Sequence, residues 1–407
     1  MGRPGGAAYV NGRTLLALFL MAGVMLIDGY DLNAMSLALK WLAPEMGLEP
    51  TAFAMVQSAD LLGLGAGAFL IAPLGDRIGR KPLIVGGVLG IAVATAATAF
   101  SSEVYHFAFW RLLTGLALGT CLANVSALSS EVAPEGKRST IMAVVSAGIA
   151  VGAMLAGFTA PEVVKLGGWQ MLFFVPATIA LVLGLSLAVV LKGGRPAGAE
   201  KRAKVPLMEL ARPPLIFPMA VFAAAYMVNA IALYMLVRWM PIVLPEEVFG
   251  AELPSRLQGL MQGAGLPVSI AMAFLIDRWK PGLTLTLGYA VIALAFLAIW
   301  ASPMQVPLWA TLLMIGGGGI AGIHGALMAL TPKLFPSSVL STAIGTAVAV
   351  SRVGAIAAPI FGARLIDAGI SPGGYFLVLV VPAALCAVLT LMVPRVMQGG
   401  AGSTVKA

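Results

Sequence analysis

Two aspartates, Asp28 and Asp31, stand three residues apart in the run Met-Leu-Ile-Asp-Gly-Tyr-Asp-Leu, inside an otherwise apolar stretch over 14–37. On a helix that spacing puts both carboxyls on one face. A carboxylate in hydrocarbon costs about 3 kcal/mol or more, and acids kept there mark proton relays and ion paths. Asp31 is therefore the first candidate for a proton carrier, with Asp28 beside it. Along the helix they lie about 21 and 25 Å from its start, past the membrane midplane. Arg352 lies about 20 Å into a second apolar stretch. Its guanidinium keeps its charge and offers a two-pronged fork for a carboxylate, so it is the candidate to hold an organic acid. The alternative is a permanent pair with Asp28 or Asp31. Arg111, about 6 Å inside its own stretch, either meets an anion at the outer mouth or pairs with Asp60 at similar depth. His324 is a proton-shuttle or ligand candidate, or else a packed, hydrogen-bonded group. Asn229, Tyr226, Tyr234, Gln262 and Asn124 are polar groups in apolar runs, able to orient a ring hydroxyl or to tie helices together. Arg238, at the outer end of its run, reads as a snorkelling side chain.

The elements that carry these residues are membrane helices. Of the 407 residues, 60% are hydrophobic and 10% charged, against about 25% charged in soluble domains. Twelve apolar runs occur, at roughly 14–37, 53–74, 83–100, 107–130, 140–163, 169–191, 215–244, 257–276, 283–301, 307–331, 339–366 and 374–394. Each approaches the about 20 residues a bilayer requires, too long for barrel strands. The fold class is an all-α integral membrane protein.

The net charge of +8 does not indicate nucleic-acid binding, because the basic residues alternate between loops. Arg77, Arg80, Lys81, Lys137, Arg138, Arg278, Lys280 and Lys333 fall on one side, with the longest linker; Glu45, Glu49, Glu103, Glu246, Glu247 and Glu252 fall on the other. The basic side, with both termini, is expected in the cytoplasm. Cys121 and Cys386 lie in apolar runs and read as packing residues. No cluster of metal ligands and no Ser/His/Asp grouping is visible, so an enzyme and a bound cofactor are not expected.

The linker at 193–214 divides the chain into halves, 1–192 and 215–407, with six runs in each. The halves echo one another. Leu74-Gly75-Asp76-Arg77 recurs as Leu275-Ile276-Asp277-Arg278, and Glu131-Val132-Ala133-Pro134 as Lys333-Leu334-Phe335-Pro336, at nearly the same offset. Such duplication places a substrate site between the halves near the midplane. The loop Gly75-Asp76-Arg77-Ile78-Gly79-Arg80-Lys81 has the charge and turn residues of a conformational latch, with Glu131, Arg138 and Asp277 as its further members.

That loop resembles the Gly-x-x-x-Asp-Arg-x-Gly-Arg-Arg motif of the major facilitator superfamily, with Ala72 in place of the first glycine. Within the superfamily, Asp28-Gly29-Tyr30-Asp31 resembles the signature of aromatic acid:proton symporters. So do Arg111-x-x-x-Gly115-x-x-x-Gly119, the stretch Glu131-Val132-Ala133-Pro134 with Lys137-Arg138, and Arg352-x-Gly354-x-x-x-x-Pro359. The Gly-Pro dipeptide of drug:proton antiporters is missing from the fifth run. The resemblance implies twelve helices in two pseudo-symmetric six-helix bundles and alternating access. It implies a monomeric inner-membrane carrier, driven by the proton gradient, that imports a small organic anion, foremost an aromatic carboxylate. A muconate-like aliphatic acid or lactone is the alternative, and drug export a more distant one.

Overall fold

The computed structural model describes residues 12–134, 137–191, 207–336 and 339–393. Among them, twelve helices are long and apolar enough to cross a membrane: α1 Gly12–Glu45, α2 Pro50–Ile78, α3 Arg80–Thr98, α4 Val104–Val132, α5 Thr140–Gly167, α6 Met171–Val190, α7 Ile216–Val243, α8 Leu253–Arg278, α9 Pro281–Ala301, α10 Val306–Leu334, α11 Thr342–Asp367 and α12 Pro372–Leu391. No strand occurs in the described residues. Each expected run is a helix, several of them longer than hydropathy indicates. In α1 the apolar pattern breaks at Lys40, yet Leu42 and Ala43 beyond it are fully buried, so packing carries the helix on. The end of α2 is irregular, with a π turn at Gly67–Ile71 and a 3-10 turn at Ala72–Leu74. Pro73 lies in that turn and lacks the N–H that a regular ladder needs. Gly79 alone separates α2 from α3, and its φ of +96° is one that only glycine adopts freely. Most of the linker expected at 193–214 falls outside the described residues; its end forms a helical turn, Leu207–Leu210.

The packing repeats between the halves. In the first half α1 packs on α5, α2 on α4 and α3 on α6; in the second, α7 packs on α11, α8 on α10 and α9 on α12. Across the halves, α5 meets α8, α2 meets α11 and α1 meets α7. The close pairs need glycine. A Cβ on Gly29 would collide with the carbonyl oxygen of Ile149 in α5, and Cβ atoms on Gly115 and Gly119 with the carbonyls of Asp60 and Leu64 in α2. The glycine between Asp28 and Asp31, and the Gly-x-x-x-Gly after Arg111, are thus contact surfaces between helices. Outward faces are apolar and exposed, with Phe69, Phe100, Val189, Phe217 and Ile270 all more than 70% accessible; hydrocarbon is the solvent that suits them. A groove of about 830 Å³ between α8, α9 and α10 is lined by apolar side chains such as Met272, Leu275, Trp279 and Leu283, and contains none of the polar residues described below.

The halves are tied together toward one end, that of the acidic loops. At the rim Lys40 pairs with Glu246 at 3.2 Å and donates to the Ala251 carbonyl at 2.6 Å. Lys165 pairs with Glu252 at 2.8 Å and Arg256 with Glu162 at 3.1 Å. The hydrogen bond from Lys165 holds the carboxyl of Glu252 below the usual range. Because the charged form is the bonded one, this link persists at neutral pH and is lost only as pH falls through that lowered value. Deeper in, Gln258 donates to Asn33 at 3.0 Å and Ser58 to the Ile356 carbonyl at 2.8 Å. Toward the opposite end, the described residues show no ion pair from one half to the other.

Candidate functional site

Asp31 is fully buried and already matched. Arg111 Nη1 donates to its Oδ2 at 2.9 Å, and Thr95 Oγ1 to its Oδ1 at 2.9 Å. Arg111 Nε donates to Thr98 at 3.2 Å, and its Nη2 to Thr95, Thr98 and Thr114 at 3.1–3.2 Å. The guanidinium also lies over the Phe173 ring, 5.2 Å from its centroid. This corrects two expectations. Arg111 neither faces an anion at a mouth nor pairs with Asp60. It is a wholly buried group whose donors are satisfied by α1, α3 and α4, so no fork remains for a substrate.

Asp60 pairs instead with Arg238 Nη2 at 3.3 Å, across the boundary between the halves. Arg238 Nη1 donates to the Leu32 carbonyl of α1. The snorkelling expectation for Arg238 fails because the end of α7 lies within the closed end of the molecule, where the side chain is 1% exposed. A cation there needs an acid, and α2 supplies it.

Asp28 and Arg352 are the acid and the base left over. Asp28 is buried, makes no ion pair among the described residues, and its Oδ1 has no hydrogen-bond partner there. Arg352 is half-buried; its charge acts on Asp28, Tyr226 and His324, yet no described acid lies within ion-pair distance of it. The permanent-pair alternative for Arg352 is therefore not what the structure holds. The two residues come from opposite halves, α1 and α11, at similar depth.

A polar and aromatic wall from the second half adjoins Arg352. Tyr226 of α7 stacks on His324 of α10 with ring centroids 4.4 Å apart and planes at 15°, and on Phe222 at 6.0 Å and 17°. Asn229 is 1% exposed and is spent on His324 Nδ1 at 2.9 Å and Tyr289 Oη at 2.9 Å. Its side chain is thus engaged by other helices of the second half in this conformation, where the sequence reading expected a substrate hydroxyl as its partner. Gln262 is half-buried, one turn from Gln258 and on the same face; it stays a lining candidate. Asn124 is misplaced by the sequence reading. It is fully buried at the far end of α4 and donates to the Ala72 carbonyl at 3.2 Å, and a Cβ on Gly75 would collide with its Oδ1. It supports the latch loop instead.

In that loop Arg80 joins Asp76 at 3.1 Å and Glu131 at 2.6 Å. Arg77 and Arg138 are exposed and, among the described residues, join no ion pair, so the pairing expected of them in the latch is not made in this conformation. Asp277 pairs with Lys333 at 3.2 Å in the second half. Both clusters close within their own half.

Sequence reasoning missed Thr95, Thr98, Thr114 and Tyr289. The threonines carry a weak signal, since Thr95 and Thr98, and Arg111 and Thr114, each share a helix face. Tyr289 carries none, being one tyrosine in an apolar run.

Twelve helices in two like halves, sealed at one end and holding buried acids and arginines between them, define a multi-pass membrane transporter, not an enzyme. The sequence profile of the Major Facilitator Superfamily matches residues 19–359, and the chain belongs to that superfamily. Its relatives include the 3-(3-hydroxy-phenyl)propionate transporter of Escherichia coli (strain K12), 30% identical and aligned over 88% of this chain and 89% of the relative. The gallate transporter of Pseudomonas putida is 26% identical over 92% and 91%. Among solved structures, a bacterial homolog of the human lysosomal transporter Spinster, inward-facing and unoccupied, superposes with a TM-score of 0.78 at 15% identity, covering 97% of this chain and 98% of that one; that likeness concerns the fold.

Proposed function

We propose that this transporter imports an aromatic carboxylate across the inner membrane together with protons, by alternating access. The observation that carries the reading is the unmatched pair, Asp28 on one half and Arg352 on the other. A substrate carboxylate docked on Arg352 brings negative charge beside Asp28 and competes with it for the guanidinium. Protonation of Asp28 removes that competition, so proton and anion each favour the binding of the other. The ring of the acid would lie along the wall of Phe222, Tyr226 and His324, where flat faces give offset-stacked contact. The names of the relatives support the substrate class, and the basic loops support cytoplasmic termini and an acidic, outward-facing closed end.

The test is uptake of labelled benzoates, phenylpropanoids and aliphatic diacids into proteoliposomes, with and without an inward proton gradient. Gradient-driven accumulation of an aromatic acid is expected. Uptake of a muconate-like acid alone would keep the mechanism and discard the aromatic assignment; proton-driven efflux of uncharged drugs would discard both.

The Asp76–Arg80–Glu131 cluster is read as the latch of the open end, engaged differently when that end closes. Asp76→Asn is expected to slow transport about fivefold or more, the lower end of the usual scale of coupling energies, with the substrate Kd unchanged. Equal rates in mutant and wild type would remove the loop from conformational control.

A further inference from the structure

The two ring nitrogens of His324 have unlike surroundings. Nδ1 lies 2.9 Å from Asn229 Nδ2, while Nε2 has no hydrogen-bond partner among the described residues. The amide of Asn229 is itself oriented. The hydroxyl of Tyr289, a fully buried residue, donates to its Oδ1 at 2.9 Å. Cys386, next to Tyr289, turns its Sγ–H to the Ala225 carbonyl at 3.5 Å. With Oδ1 so engaged, Asn229 presents its NH2 to the ring. An NH2 donor requires a lone pair on Nδ1, which puts the ring proton on Nε2; an imidazolium would set N–H against N–H. The stacking on Tyr226 fixes the ring plane.

We infer that Tyr289 and Asn229 are positioning residues that hold His324 as a neutral Nε2–H donor, and that this donor, beside Arg352, binds an acceptor oxygen of the transported acid. The inference rests on the carboxylate reading above. It adds a specificity element: an oxygen at this point is rewarded, and an N–H or apolar group there is not. Tyr226 from α7 stacks on the ring and the charge of Arg352 from α11 acts on it, while Tyr289 from α9, with Cys386 from α12 beside it, stands behind Asn229.

The experiment is equilibrium binding of benzoate and 4-hydroxybenzoate to the purified full-length protein in lipid nanodiscs across pH 6–8. His324→Gln can still donate an N–H and is expected to stay within about threefold of wild type; His324→Leu removes the donor and should weaken binding about tenfold or more. Tyr289→Phe leaves ring and stack in place and should weaken binding about fivefold by freeing the amide to turn. Asn229→Asp accepts a proton from Nδ1, so the Asp–His pair should bring a new pH dependence, with binding strengthening toward acid relative to wild type. Loss for both acids identifies a carboxylate oxygen as the acceptor; loss for 4-hydroxybenzoate alone identifies the ring oxygen. Equal losses in His324→Gln and His324→Leu, or an Asn229→Asp profile parallel to wild type, would overturn the inference. If the wild type binds neither acid, the proposed function itself falls, and this assignment with it.

Discussion

Replacing Asp28 by asparagine is expected to abolish accumulation of the acid against a gradient while leaving its exchange across the membrane intact. An asparagine resembles the protonated carboxyl in shape and charge, so Arg352 stays free for the substrate and affinity is kept or improved. What is lost is the link to protons. For each proton carried, one pH unit supplies about 1.4 kcal/mol, which is about tenfold accumulation; in Asp28→Asn the accumulation ratio should fall to unity at any imposed pH difference. Counterflow of labelled against unlabelled acid in the same vesicles serves as the control for folding and binding. Asp31→Asn should behave differently. It leaves Arg111 buried without its acid, and removing one partner of a buried pair costs about 3–5 kcal/mol. A lower thermal midpoint and reduced yield are expected there, with exchange and accumulation failing together. Normal accumulation in Asp28→Asn would return the proton to Asp31.

The second large effect is expected at the closed end. Asp60 and Arg238 meet across the halves at 3.3 Å, and the closed end cannot open while they hold. Once it opens, both would meet water. Asp60→Asn therefore leaves Arg238 unmatched in the closed state only. With about 3–5 kcal/mol at stake and about 1.4 kcal/mol per tenfold, the population should shift toward opening by about a hundredfold or more. A cysteine at Ser36, fully buried beside this gate, would report its opening in a background where Cys121 and Cys386 are replaced. Labelling by a membrane-impermeant maleimide from the acidic-loop side should rise steeply in Asp60→Asn. Unchanged labelling would mean that the rim pairs of Lys40, Lys165 and Arg256 close this end unaided.

The fold was legible because membrane helices declare themselves in one dimension, by length and hydropathy. The pieces of the site were legible for the same reason: Asp28, Asp31, Arg352 and His324 are polar groups where hydrocarbon penalises them. Partnership was not. Arg111 sits in α4 with Asp60 at similar depth in α2, yet its acid is Asp31, because α3 brings Thr95 and Thr98 to the same point and completes the hydrogen bonding there. Arg238 looked like a terminal arginine because a linear reading cannot see that the end of α7 is covered by α1 and α2. Asn124 looked like a ligand because depth along a helix says nothing about which neighbour it faces. The glycines of both signature motifs carry a meaning visible only in three dimensions, as the places where helix backbones touch.

The buried layer contains three acids, Asp28, Asp31 and Asp60, and three arginines, Arg111, Arg238 and Arg352, with His324 fixed by geometry as an uncharged ring. In the proposed cycle, with all three acids ionised, the empty carrier would have no net charge in its interior. Loading the anion alone makes the sum minus one, and loading a proton alone makes it plus one. Only the empty carrier and the carrier holding one of each are balanced, and these are the forms that low-dielectric closure favours. On that mechanism half-loaded forms would be held back on whichever side they arise, which would suppress leak of protons without cargo and of cargo without protons. On the proposed mechanism the same sum would set the stoichiometry for a monovalent acid at one to one, and a cycle of that kind would be insensitive to membrane voltage.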